Sequence, residues 1–152
     1  LKTDLMKFQF SVKIDRPFEE VSKLFIDPKH LHKYQEGFVK KESQSGTEGQ
    51  DGAISLMYYK HGKQEMELKE TVVANNLPHS FEAFYEHKHM DNTLLTKFIP
   101  ISDNKTRVET EGEYVRVSWL IPKLMTILVP GMFSKPPKRW MNNFKKFVEN
   151  NV

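Results

Sequence analysis

Every second residue from Phe8 to Ile14 is apolar, and polar residues separate these positions. Because successive side chains of a β-strand point to opposite faces, this alternation predicts a strand with one buried face. After Pro17 the apolar residues recur every three or four positions, which is typical of a helix, and the proline favours its first turn. Asp27-Pro28 ends that helix and opens a second short one that runs to Tyr34.

The alternation returns after Gly37 and continues for about eighty residues, interrupted by turn-forming residues. The clearest hairpin signal is His61-Gly62, and Asn75 to Pro78 and Asp103 to Lys105 are further turns. Strands joined in sequence by hairpins build an antiparallel sheet rather than parallel crossovers. The predicted strands of this region are 38–43, 53–60, 63–73, 80–89, 93–101 and 106–117.

The tail is predicted to be helical but interrupted. Pro122 opens a helix, Pro130-Gly131 breaks it, and a second segment starts near Pro136-Pro137. Its apolar face carries Trp140, Phe144, Phe147 and Val148. We therefore predict one α+β domain over residues 1–152. A seven-stranded curved antiparallel sheet surrounds a long kinked C-terminal helix, with two short helices after the first strand.

Parity along each strand identifies the side chains that face the helix, and these combine apolar bulk with hydroxyls and an imidazole. A core closed by packing alone is usually more apolar, whereas a small-molecule cavity mixes apolar walls with a few polar groups. The pattern by itself fits a cavity and a core equally well. The predicted lining residues are Phe10, Val12, Met57, Tyr59, Met66, Leu68, Phe81, Tyr85, His87, Leu94, Thr96, Phe98, Tyr114, Trp119, Met125, Met132, Trp140 and Phe144.

Composition narrows the classes of function. The chain has no cysteine, which excludes disulfides and thiolate metal sites and suggests a reducing compartment, so we expect a cytoplasmic protein. The net charge is +3, but 23 basic and 20 acidic residues are interspersed, which argues against a nucleic-acid partner. No oligomeric state follows from the sequence.

The most apolar stretch, Trp119 to Phe133, is shorter than the roughly 20 residues that a transmembrane helix needs, and it contains Lys123. We predict no transmembrane segment. The stretch could form an inner wall and a lid that admits a ligand. It could also dock transiently on a membrane to collect a lipid, or be an ordinary kinked helix packed on the sheet.

Two motifs are candidates for chemistry. His87 and His89 fall on one predicted strand, but a metal site needs a third ligand that the spacing does not identify, so we expect no metal and no cofactor. A hydrogen-bond donor in the pocket is the better interpretation of His87. Strict alternation puts Glu70 on the inner face, where burial would suit a general base. Val72-Val73 indicates a nearby change of parity, and a slip before Glu70 would expose it, which is the outcome we favour.

Four stretches carry a family resemblance: 12–21 at the first helix, Ile26-Asp27-Pro28, the glycine-rich segment 46–52, and the terminal helix 140–149. With these the chain resembles the polyketide cyclase/dehydrase-like branch of the START and birch-pollen-allergen superfamily, often labelled SRPBCC. The resemblance implies the helix-grip fold, with a deep cavity between sheet and helix. Family members carry lipids, sterols, polyketides or plant hormones, some are cyclases or aromatases, and others bind chaperones. Tyr34 stands where many members have tryptophan, and no catalytic signature can be transferred.

The main hypothesis is a protein that binds or carries a hydrophobic or aromatic small molecule or lipid without converting it. The polar groups expected to orient the ligand are Tyr59, Tyr85, His87, Thr96 and Tyr114, and those expected to close the cavity are Trp119, Met125, Trp140 and Phe144. One alternative is a polyketide cyclase or dehydratase that uses Glu70 or His87 as acid or base. A second is a chaperone-cofactor-type interaction module, which requires a contiguous exposed apolar patch.

Overall fold

The computed structural model describes residues 7–118 and 135–150. The predicted helix after Pro122, its break at Pro130-Gly131, and the predicted lining residues Trp119, Met125 and Met132 lie outside these ranges. The described elements, in chain order, are β1 Lys7–Ile14, α1 Phe18–Ile26, a 3₁₀ turn Pro28–His30, α2 Leu31–Tyr34, β2 Phe38–Ser45, β3 Ile54–His61, β4 Gln64–Asn76, β5 Ser80–Glu86, β6 Met90–Ser102, β7 Lys105–Val117 and α3 Lys135–Asn150.

The strands form one seven-stranded sheet in the order β1-β7-β6-β5-β4-β3-β2, and every neighbouring pair is antiparallel. Strands β2 to β7 follow one another as a meander, which is the arrangement that their short connections favour. The first strand closes the series beside the last, with Phe10 opposite Thr110 and Ile14 opposite Thr106. The predicted α+β architecture is confirmed.

Helix α3 lies against the concave face of this sheet. Its Trp140 indole stacks on the Tyr59 ring of β3, with centroids 5.4 Å apart and planes 13° apart. Phe144 and Val148 are fully buried, as the predicted apolar face requires, and Met141, which that prediction omitted, is buried as well. Burying a side chain of this size stabilises the fold by about 1.5–3 kcal/mol, so this face holds the helix on the sheet.

Polar contacts fix the C-terminal end of α3. The Glu149 carboxylate accepts a hydrogen bond from the Asp15 N–H (2.9 Å), and the Arg16 guanidinium donates to the Glu149 carbonyl (2.6 Å). Arg16 thereby satisfies one of the carbonyls that the last turn of a helix leaves unpaired. Thr106 on β7 donates its hydroxyl proton to the Arg16 carbonyl (2.7 Å), so the helix end is tied to the sheet.

Two predicted turns are displaced. The β3–β4 turn is Gly62-Lys63 rather than His61-Gly62, and Gly62 supplies the positive φ of 62° that the turn requires. The predicted strand 80–89 is too long, because β5 ends at Glu86. The predicted turn Met90-Asp91-Asn92 belongs to β6, which starts at Met90. The chain reverses over residues 87–89, where the His87 N–H donates to the Met90 carbonyl (2.8 Å).

Candidate functional site

Strand register brings polar side chains from five strands into one row across the concave face. Directly opposed residues are Ser55 and Glu70, Glu70 and Tyr85, Tyr85 and Asn92, and Asn92 and Tyr114. Opposed residues of antiparallel strands point to the same face. With about 4.8 Å between strands, this polar row spans about 19 Å.

A buried ion pair lies toward the β2 end of the polar row. Glu70 is 5% exposed, and its carboxylate Oε1 lies 2.8 Å from the Lys41 ammonium. The Tyr85 hydroxyl donates to the other oxygen, Oε2, at 2.8 Å. Lys41 belongs to β2, opposite Met57. Both carboxylate oxygens therefore have partners, which is what a buried charge needs.

The expected exposure of Glu70 is wrong, and the β4 register gives the reason. A register shift does occur, but it lies between Val72 and Ala74, after Glu70. Alternation therefore continues unbroken through Glu70, and the bulge leaves Val73 exposed instead. Lys41 was not among the residues predicted for the site. A buried glutamate carboxylate needs a partner for its charge. The inner-face parity of Glu70 was therefore the signal that could have pointed to a lysine nearby.

Three tyrosines surround Glu70 and remain protonated at neutral pH. Burial raises the pKa of Tyr34, Tyr59 and Tyr85, and the negative charge of Glu70 raises each further. The Tyr59 hydroxyl donates to Gln35 Oε1 (2.7 Å), and Tyr34 donates to the Phe25 carbonyl (2.7 Å). These hydroxyls act as hydrogen-bond donors, because their phenolate forms are strongly disfavoured.

Tyr114 lies at the β7 end of the polar row. Its ring contacts Phe8 of β1 at a centroid distance of 5.8 Å. Burial raises the pKa of Tyr114 to about 12. It is therefore neutral at physiological pH, like the three tyrosines around Glu70.

Apolar side chains flank the polar row, and their burial is graded along the sheet. The strand register places twelve predicted lining residues on this face: Phe10, Val12, Met57, Tyr59, Met66, Leu68, Phe81, Tyr85, Leu94, Thr96, Phe98 and Tyr114. Phe98 and Thr96 are buried, whereas Met66, Leu68 and Leu94 stay partly accessible. Trp140 and Phe144 face the sheet from α3. Whether any of these residues contacts a ligand stays a prediction.

His87 and His89 do not lie on one strand, as the sequence predicted. His87 and His89 lie in the β5–β6 turn, with ring centroids 5.5 Å apart, and His87 Nδ1 accepts the His89 N–H (3.2 Å). Burial, followed by the nearby positive charges, lowers the pKa of His87. Arg116 braces this turn through both oxygens of Asp91 (2.7 and 2.9 Å). Among the described residues, no group of three His, Cys, Asp or Glu could hold a metal ion.

Solved structures share this fold over almost the whole chain. The Zhui aromatase/cyclase from Streptomyces sp. R1128 is similar with a TM-score of 0.79 and 9% identity, covering 96% of this chain and 94% of that one. A START superfamily protein from Mycobacterium smegmatis gives 0.76 and 7%, covering 96% and 99%. Norcoclaurine synthase from Thalictrum flavum, in complex with dopamine and hydroxybenzaldehyde, gives 0.70 and 18%, covering 96% and 87%.

These similarities are structural. No protein-family model matches the sequence, and no curated protein matches it by sequence. At such low identities the comparison shows the fold alone. The helix-grip fold expected from the four sequence stretches is confirmed.

Proposed function

We propose that this chain, which has the helix-grip fold, binds a hydrophobic or aromatic small molecule between the concave face of its sheet and α3. The polar row carries the proposal, because it crosses a face on which apolar side chains such as Met66 and Leu94 stay partly accessible. A core closed by packing covers its apolar atoms. Apolar walls with a few convergent polar groups are typical of a ligand pocket.

The structural neighbours support the same proposal. One was solved with dopamine and hydroxybenzaldehyde, and another is an aromatase/cyclase. Burial of the ligand's apolar area would contribute about 25 cal/mol per Å², before the costs of association. Tyr85 and Tyr114 of the polar row would orient the ligand, with Tyr59 and Thr96 beside it. Trp140 and Phe144 would close the cavity from the helix.

A direct test combines native mass spectrometry of the freshly purified protein with titration of Nile red, an uncharged hydrophobic dye. We expect a co-purifying adduct or saturable dye binding. Leu94→Trp places a larger side chain on the concave face. It should weaken dye binding at least about tenfold, because overpacking at one position commonly costs about 1 kcal/mol or more. Leu95→Trp is the matched control, because Leu95 is the next residue and points to the opposite face. Equal binding by both variants, or none by the parent protein, would overturn the proposal.

A second candidate function is a cyclase or dehydratase in which Glu70 acts as acid or base. The observation that favours it is the position of Glu70 on the concave face, within hydrogen-bond distance of the Tyr85 hydroxyl. Incubation with a poly-β-ketone substrate tests it. Glu70→Gln should abolish conversion and retain binding of the dye. Binding of the substrate without conversion by the parent protein would leave carriage as the function.

An interaction module of the chaperone-cofactor type receives no support from the described surface. Its exposed large apolar residues are Val39, Val73, Ile101 and Val115. They lie on four different strands, and the two on adjacent strands, Ile101 and Val115, are at opposite ends of the β6–β7 pairing. Within residues 7–118 and 135–150, no helix is long and apolar enough to cross a membrane. Cytoplasmic location and transient membrane contact stay predictions.

A further inference from the structure

The charges of the Lys41–Glu70 pair balance each other. Lys41 and Glu70 form a pair at 2.8 Å, and their side chains are only 10% and 6% exposed. A further charge is Glu48, whose Oε1 lies 4.0 Å from the Lys41 ammonium and whose side chain is about half exposed. The cluster that would meet a ligand is therefore neutral at its buried centre and negative on its outer side.

We infer that the polar group of the bound molecule is uncharged, a carbonyl or hydroxyl oxygen held beside the Lys41–Glu70 pair. The inference rests on the proposed function and specifies the chemistry of its ligand. An ammonium has three donors, and Glu70 Oε1 accepts only one from Lys41. A carbonyl oxygen can accept another. The Tyr85 hydroxyl donates its hydrogen bond to Glu70, so the Tyr85 oxygen can still accept a hydrogen bond from a ligand hydroxyl.

A ligand carboxylate would be rejected for an electrostatic reason. Glu70 already neutralises Lys41, so a second anion beside the pair would face the carboxylates of Glu70 and Glu48 in a site of low dielectric. The tyrosines report the same field, because the charge of Glu70 opposes the formation of a phenolate at Tyr34, Tyr59 and Tyr85. A ligand ammonium beside the pair would meet the like charge of Lys41, and both oxygens of the buried Glu70 carboxylate already have partners.

The test is a competition between two isosteric probes, methyl naphthyl ketone and naphthoate, each displacing Nile red. We expect the parent protein to prefer the ketone by about tenfold or more, the factor that one charge-assisted contact commonly gives. Glu70→Gln keeps the shape of the side chain and frees the charge of Lys41. It should move the preference toward naphthoate by a similar factor. Glu67→Gln, at an exposed position on the same strand, is the control and should leave the ratio unchanged.

The outcomes separate the inference from the proposed function. If Nile red does not bind the parent protein, the proposed function fails. If the dye binds and ketone and carboxylate displace it equally, the inference alone is overturned. An unchanged ratio in a folded Glu70→Gln variant also overturns it. If circular dichroism shows that this variant does not fold, the ketone preference of the parent protein decides the test. Lys41→Met is then the second variant, and it should shift the binding preference toward naphthylmethylamine.

Discussion

The concave face of this sheet has two halves of opposite character. The closed half is built from Ile14, Phe98 and Val108 on the strands and from Phe144 and Val148 on α3, and none of these is more than 2% exposed. The open half consists of the polar row with Lys41 and of the apolar residues Met66, Leu68 and Leu94. Its apolar side chains stay partly accessible, and it contains the Lys41–Glu70 ion pair.

The difference comes from the side chains that reach each half. In the closed half the Phe25 ring of α1 contacts both Phe98 (5.3 Å) and Phe144 (5.5 Å), so aromatic rings fill the space between helix and sheet. In the open half β7 contributes Gly112, which has no side chain and lies against the Phe8 ring of β1. The same sheet therefore carries a closed core at one end and partly accessible apolar side chains at the other.

The largest expected effect breaks the closed half. Phe144→Ala removes a fully buried ring that contacts Phe25 and Tyr34, so we expect a loss of about 4 kcal/mol in the free energy of unfolding. Urea denaturation measures it. Phe147→Ala is the control, because that ring is only partly buried and its removal should cost less than half as much. Equal losses would mean that the closed half is not the stabilising one.

The next effect concerns the ion pair of the open half. Lys41→Met leaves Glu70 buried and unpaired, which should cost about 3 kcal/mol in the free energy of unfolding. The double variant Lys41→Met/Glu70→Leu removes both charges and should recover most of that loss. A double-mutant cycle by urea denaturation gives the coupling energy. Additive losses would show that the two side chains do not interact in the folded protein.

The two halves also differ in how far the sequence predicts them. Alternation and helical spacing are local signals, and they identified Ile14, Phe144 and Val148 correctly. The open half depends on contacts between distant segments. The Lys41–Glu70 pair joins residues 29 positions apart, and only the register of β4 against β5 shows that the bulge follows Glu70. No local pattern carries that information.

The displacement of the β5–β6 turn from the predicted residues 90–92 to residues 87–89 has a related cause. The turn-forming residues Asp91 and Asn92 pointed to a turn at 90–92, whereas the chain reverses at 87–89 and pairs Glu86 with Asp91. Pairing with the neighbouring strand, rather than composition, decided where β5 ends. The fold was therefore predictable from pattern and resemblance, whereas the composition of the polar row was predictable only in part, through Tyr85 and Tyr114.

A smaller effect is expected where β7 passes Phe8. A Cβ at Gly112 would overlap the Phe8 ring and lie 2.5 Å from the Thr93 carbonyl oxygen, which is backbone and cannot move freely. We expect Gly112→Ala to destabilise the fold by about 2 kcal/mol. Thermal unfolding followed by circular dichroism measures it. Gly52→Ala tests glycine conformation without crowding, since a Cβ there has nothing within 4 Å although φ is positive. A neutral Gly112→Ala would show that β1 and β7 separate easily.

The smallest expected effect is a change in the free energy of unfolding that has opposite signs at two threonines of β7. Thr106 and Thr110 are both buried, but the Thr106 hydroxyl donates to the Arg16 carbonyl (2.7 Å), whereas the Thr110 hydroxyl has no hydrogen-bond partner among the described residues. Thr106→Val should therefore destabilise the protein by about 1 kcal/mol, because it leaves that carbonyl unpaired. Thr110→Val should stabilise the ligand-free protein by up to about 1 kcal/mol, because it removes a buried group that gains nothing. Urea denaturation of both variants gives the two signs. A loss of stability in both variants would mean that a bound molecule or water forms a hydrogen bond with the Thr110 hydroxyl. Repeating the Thr110→Val measurement with saturating ketone probe would then tell whether the probe displaces that molecule.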